Sequence, residues 1–246
     1  MIMEQIESLC EVLYPSKCCQ RILREFIIEP ECFKLIVIKS LGYGIIFGST
    51  MVKLPQLLKL LAAKSGLGVS LPAVLLEILA LTFSSSYSYA NGFPFSAWGE
   101  ALFILFMTSL IAFLIIYYDI NKGKAFLFMM MFTTVFAVLM SGHVPMQLLW
   151  LGQAAALPLI ISSKLVQAWS NFRNGHTGNL SALTIILIFI GSTTRIMTSI
   201  QETGDQLIIL GFMLSSIINM ILVLQMFYYW ENTNKFIRKN LAKKDK

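Results

Sequence analysis

Charge is scarce in this chain. Lysine, arginine, aspartate and glutamate together supply 13% of its 246 residues, against roughly 25% in a soluble globular domain. A surface so thinly charged cannot be wetted over its whole area, which excludes an ordinary soluble fold. Histidine occurs twice, at His143 and His176, and neither pairs with a cysteine or acid cluster, so no metal centre is expected. The four cysteines (Cys10, Cys18, Cys19 and Cys32) all fall in the first 32 residues, without metal-ligand spacing. A disulfide is open to them if that segment is lumenal; free thiols are the expectation. Also missing are a nucleophile–base–acid arrangement, a Walker loop, a dinucleotide fingerprint and an acidic transferase motif, so neither an enzyme nor a cofactor is expected.

The N-terminal segment lacks the uninterrupted apolar stretch of a cleaved signal peptide. Residues 1–34 mix Glu4, Glu7, Glu11, Glu25, Glu29 and Glu31 with Lys17, Arg21, Arg24 and Lys34. The first membrane helix is therefore expected to act as the insertion signal.

What the chain has in abundance is apolar sequence: 57% hydrophobic residues and a mean hydropathy of +0.73. A helix needs about 20 mostly apolar residues to cross the hydrocarbon of a bilayer. Seven stretches qualify, at 35–54, 69–90, 97–118, 125–141, 146–165, 180–201 and 206–230. Breakers separate them, among them Gly66, Gly68, Asn91-Gly92, Gly123, Gly142, Asn174-Gly175 and Gly204. The reading is an all-α membrane protein of seven transmembrane helices. It divides into an N-terminal lumenal segment (1–34), a first three-helix repeat (35–118), a linker with helix four (119–145), a second repeat (146–230) and a basic tail (231–246).

Lysine and arginine set the orientation. The connections after helices one, three and five hold Lys59, Lys64, Lys122, Lys124 and Arg173, and the tail adds Lys235, Arg238, Lys239, Lys243, Lys244 and Lys246. The connections after helices two, four and six hold none, and Glu100, Glu202 and Asp205 border them. The C-terminus is thus expected in the cytosol and the N-terminus in a lumen. The net charge of +6 is then a topology signal, and a nucleic-acid partner is not needed to explain it.

The chain also repeats itself at a shift of 111 residues (167 − 56). Lys53 falls on Lys164, Leu54 on Leu165, Gln56 on Gln167, Ser70 on Ser181, Thr82 on Thr193, Ser88 on Ser199 and Tyr117-Tyr118 on Tyr228-Tyr229. The shift maps helices one to three onto helices five to seven. Three helices end on the opposite side from where they began, so helix four is required to bring both copies into the same orientation. Parallel repeats of this 3+1+3 kind are a transporter architecture with its site near the midplane between the halves.

The run Val52-Lys53-Leu54-Pro55-Gln56 resembles the PQ-loop family, whose Pro-Gln pair ends the first helix of each repeat and whose superfamily includes the SWEET sugar transporters and lysosomal amino-acid exporters. The runs GFPFSAWGEALF (92–103), NGHTGNLSALT (174–184) and TRIMTSIQETGD (194–205) are similar to the mannose-phosphate-dolichol utilization defect proteins of the endoplasmic reticulum. The second repeat departs from the pattern with Val166-Gln167 in place of Pro-Gln. The resemblance implies a part in using mannose- and glucose-phosphate-dolichol as lumenal donors for N-glycan and glycosylphosphatidylinositol-anchor assembly. It implies as partners dolichyl-phosphate sugars or related lipids, membrane lipid and glycosyltransferases. The ending Lys243-Lys244-Asp245-Lys246 is similar to a dilysine retrieval signal of endoplasmic reticulum membrane proteins; a basic tail drawn to anionic headgroups is the alternative.

Six residues stand out as candidates. Pro55 weakens helix one near its expected end, as a hinge or as a plain terminator. Gln56 and Gln167 hold matching positions, either to bond across the halves or to lie as solvated amides. Glu77 lies within helix two, where a charge is costly; it is a proton-coupling or hydroxyl-binding group of the cleft, or a neutral acid bonded to a neighbour. Arg195 suits a phosphate, but the acids at its border make an ion pair with Glu202, Asp205 or Glu100 the expectation. Asn219 is a cleft residue or a helix–helix hydrogen bond. Trp98, Trp150 and Trp230 read as interfacial anchors, and Asn179-Leu180-Ser181 as a glycosylation sequon left unmodified on the cytosolic side. Three functions compete: dolichyl-phosphate-sugar utilisation, transport of a small sugar or amino acid, and a non-transporting scaffold for glycosyltransferases.

Overall fold

A chain with too little polar surface for water must satisfy its backbone internally, and helices do this within one segment. The computed structural model describes residues 5, 10, 11, 14, 16–21, 23, 29–66, 69–177 and 182–235. The sequon and the dilysine ending lie outside the described residues. Among the described residues there are seven long helices: α1 (Pro30–Ala63), α2 (Leu71–Ala90), α3 (Phe95–Ile115), α4 (Lys122–Met140), α5 (Met146–Asn174), α6 (Ala182–Glu202) and α7 (Gln206–Tyr228). A π-helical turn, Ile116–Ile120, prolongs α3. Among the described residues, five of these helices (α1 to α4 and α7) are long and apolar enough to cross a membrane.

Local chemistry fixes the ends. Asn121 caps α4, its side-chain oxygen accepting from the N–H of Gly123 and Lys124, and Asp205 caps α7 through the N–H of Ile208. α5 stops at Gly175, whose φ of +65° suits glycine.

Two helices run on past the C-terminal ends of the sequence reading, and α1 also starts earlier, at Pro30 instead of 35. α1 does not end at Pro55 but runs on to Ala63, and α5 runs past Pro158 to Asn174 instead of stopping near 165. An interior proline removes only its own donor and leaves the flanking turns paired. Beyond Pro55 the good helix formers Leu57, Leu58, Leu60 and Leu61 continue, with Leu60 buried in the core.

The helices run alternately up and down. At one end, here the upper, α2 finishes, α3 begins, α5 begins and α6 finishes, as the Asn91–Met146 and Ser96–Glu202 contacts show. At the lower end Asp119 accepts from the backbone N–H of Gly66 at 2.9 Å, pinning the α1–α2 connection to the end of α3. A Cβ on Gly66 would lie 2.6 Å from that carboxylate, so a larger residue here would require the Asp119 side chain to shift.

Packing follows the internal repeat. α3 packs on α1 and α2, as α7 packs on α5 and α6; between the units, α2 meets α5 and α1 meets α6. Each pairing is the image of another when 111 is added to its numbers. α4 lies on α2 and α3, turning Phe126, Leu127, Met130, Met131, Val135 and Val138 outward. Such an apolar surface is a liability in water and ordinary in lipid. The core of the first unit gathers Leu60, Val74, Ile78, Leu105, Ile111, Ala112 and Ile115.

The N-terminal segment corrects the reading of its cysteines. Cys10 is joined to Cys19 and Cys18 to Cys32, and no cysteine is free. The Cys18–Cys32 bridge ties a five-residue helix, Ser16–Gln20, to the first turn of α1, and further along α1 Tyr14 shares a 2.8 Å hydrogen bond with Ser40 and meets Tyr43 edge-on.

Candidate binding cleft between the repeats

A cavity of about 170 Å³ opens between the units, walled by α2, α3, α5 and α7. Its polar lining is Ser84, Ser88, Glu100, Gln153 and Ser215, set among Leu157, Ile161 and Phe212. Trp98 stands at the rim with its indole N–H committed to the carbonyl of Phe93 at 3.0 Å.

Beside the cleft, Arg195 fastens the halves together. Its side chain is 2% exposed; Nε donates to Glu100 Oε1 at 2.9 Å and Nη1 to the backbone oxygen of Ser96 at 3.0 Å. Ser96 Oγ in turn donates to Glu202 Oε1. Tyr87 donates to Asp205 at 2.6 Å, a second link from α2 to the start of α7. Of the three acids expected near Arg195, Glu100 is its ion-pair partner. Arg195 Nη2 and Glu202 Oε2 are buried without a partner.

Several residues that line the cavity differ from their repeat mates, and the differences favour an opening on the α5 side. Subtracting 111 from Arg195 gives Ser84, and from Gly211 gives Glu100. Ser84 and Gly211 both line the cavity, while at the mated positions Arg195 is buried in an ion pair with Glu100, whose side chain also reaches the cavity wall. Gln153 falls on Gly42 in the same register. A Cβ on Gly42 would lie 2.9 Å from the carbonyl of Ser96, so α1 sits close against α3 where α5 leaves room.

The other candidates lie below. Lys53 Nζ sits 2.8 Å from both carboxylate oxygens of Glu77, so that acid is held in an ion pair with α1, and it is not among the residues that line this cavity. Lys164, the repeat mate of Lys53, instead donates to Asn219 Oδ1 at 2.8 Å, and Asn219 donates to Ser215 at 3.3 Å and Ser192 at 3.5 Å. Asn219 thus joins α5, α6 and α7 one turn below the cavity residue Ser215. Pro55 is exposed within α1, and Gln56 and Gln167 are half-buried; among the described residues neither amide bonds the other. A hydrogen bond between them across the halves is therefore absent from this arrangement.

Gln153 escaped the sequence reading. Its only signal was an amide in an otherwise apolar run, which the repeat could have sharpened by setting it against a glycine.

Comparison with known proteins places these features. The family model for the PQ loop repeat matches residues 37–97 and 148–208. The matches start 111 residues apart (148 − 37), the shift that the polar identities give. Solute carrier family 66 member 3 of Homo sapiens is 30% identical over 172 residues, which is 68% of this chain and 82% of that protein. No solved structure matches the chain.

Proposed function

The chain belongs to the PQ loop repeat family of membrane proteins, and on that footing we propose that it serves the endoplasmic reticulum in the use of mannose- and glucose-phosphate-dolichol. In this reading all seven helices cross the bilayer and α4 sets the two repeats parallel. The upper end, with its disulfides, faces the oxidising lumen, and the C-terminus lies in the cytosol. The cleft binds the dolichyl-phosphate sugar, for translocation or presentation to lumenal transferases that build N-glycans and glycosylphosphatidylinositol anchors.

One observation carries the reading. The runs that resemble dolichol-utilisation proteins, 92–103 and 194–205, supply Ser96 and Glu100 on one side and Arg195 and Glu202 on the other, and these meet in one hydrogen-bonded network beside the cleft, which Glu100 and Trp98 line. Segments far apart in sequence are thereby joined at one place between the repeats. The test is deletion in cells followed by analysis of lipid-linked oligosaccharide. Precursors should stall at the lumenal mannose and glucose steps while donor synthesis stays normal; wild-type chain should restore them and Arg195→Ala should not. Full-length oligosaccharide in the deleted cells would remove the proposal.

A second reading, transport of a small sugar or amino acid, is favoured by the size of the cavity and by the solute-carrier name of its relative. Uptake of free solute into vesicles holding the purified chain, with no effect of deletion on glycan precursors, would select it.

A further inference from the structure

Gln153 is 9% exposed, lines the cavity, and has its Oε1 buried without a hydrogen-bond partner. A buried acceptor left unmade is costly, and native proteins rarely keep one without a reason. The hydroxyls of Ser84, Ser88 and Ser215 share the cavity wall, but none of them bonds this oxygen. Glu100 is an acceptor already engaged by Arg195, and the Trp98 N–H is turned to Phe93. What the cavity asks for is a ligand that brings its own O–H donors and has apolar faces for Leu157, Ile161 and Phe212.

We infer that Gln153 is the specificity-determining residue of the cleft, accepting a hydrogen bond from a hydroxyl of a hexose whose ring lies beside Trp98. This rests on the reading of the cleft as a dolichyl-phosphate-sugar site and adds the part of the ligand it recognises. A site built to bond a hydroxyl rejects the analogue that lacks it far more strongly than an apolar pocket separates shapes. The bare dolichyl phosphate is therefore held less tightly than its mannosylated form. Gln153 has Gly42 as its repeat mate, so the site exists once per chain, on the α5 side.

The experiment uses the full chain in lipid nanodiscs with three probes: mannosyl-phospho-dolichol, dolichyl phosphate and free mannose. Gln153→Leu, close in volume and suited to an apolar helix, should bind the mannosylated lipid about tenfold more weakly, the loss of one buried hydrogen bond, and dolichyl phosphate as before. A series of deoxymannosyl lipids gives the same information without relying on the variant. One deoxy position should lose about that factor in the wild type and nothing further in Gln153→Leu, as coupled partners do. Equal affinity of wild type and Gln153→Leu for the mannosylated lipid, or a wild type that does not distinguish it from dolichyl phosphate, overturns this inference and leaves the lipid reading standing. Gln153-dependent binding of free mannose with no binding of either lipid keeps the inference and overturns the lipid reading. No binding of any probe overturns both.

Discussion

Arg195 on α6 and Glu100 on α3 are joined at 2.9 Å, an ion pair that ties the second repeat to the first at the upper end alongside the Ser96–Glu202 and Tyr87–Asp205 hydrogen bonds. Removing one partner of a buried pair strands the other's charge. Arg195→Leu should therefore destabilise the protein by about 3–5 kcal/mol, read as thermal unfolding in detergent. Glu100→Gln should cost less, because an amide still accepts the Nε–H. The double variant should lose less than the sum of the two; strict additivity would show that the pair is not coupled.

Lys164 and Asn219 form the corresponding brace inside the second repeat. Asn219→Leu leaves a half-buried ammonium without its acceptor and should cost about 2 kcal/mol. Adding Lys164→Met removes the stranded group and should recover most of that loss. A double variant as unstable as Asn219→Leu alone would assign the effect to packing.

The glycines of α1 give a prediction with its own control. A Cβ on Gly42 meets the carbonyl oxygen of Ser96 at 2.9 Å, whereas Gly44 and Gly48 have open space around them. Gly42→Ala should destabilise by about 1–3 kcal/mol as the two helices are pushed apart. Gly44→Ala and Gly48→Ala should be neutral or gain up to about 1 kcal/mol from helix propensity. The three melting curves, compared side by side, decide it.

Disulfide mapping checks the fold of the N-terminal segment and the orientation together. Peptides from unreduced protein should link Cys10 to Cys19 and Cys18 to Cys32. In sealed microsomes an impermeant maleimide added outside should label none of them, before or after a permeant reductant; once the membrane is opened, labelling should follow reduction. Labelling of intact, reduced microsomes would place the upper end in the cytosol. Loss of the bridges should cost about 2–4 kcal/mol.

Much of this architecture was legible in the residues. Apolar stretches of membrane length predict the helices, and a shift read from Lys53 and Lys164, Gln56 and Gln167, and Thr82 and Thr193 anticipates which helices pack as mates. Arg195 was legible too, because a buried cation must find one of the acids that border it. Other partners were not. Nothing in the local sequence joins Glu77 to Lys53, 24 residues away on another helix, and the cysteines were ambiguous because spacing alone does not specify a pairing. Pro55 misled because the motif suggests an end, whereas the surrounding leucines carry the helix onward. The cavity could not be seen at all, since it arises from differences between the repeats at Gly42 and Gln153, and at Ser84 and Arg195.

The interior prolines leave the two halves unequal in another way. Pro55 leaves the carbonyl of Met51 without its helical donor, and Pro158 does the same to Ala154. By rise per residue the first lies about 38 Å from the start of α1 and the second about 18 Å from the start of α5. Each triplet thus has its pliant point at a different height, one low and the other level with the cavity. A bend of α5 would move Gln153 relative to Leu157 and reshape the pocket, whereas a bend of α1 would leave the pocket alone and swing the Lys59 and Lys64 end instead.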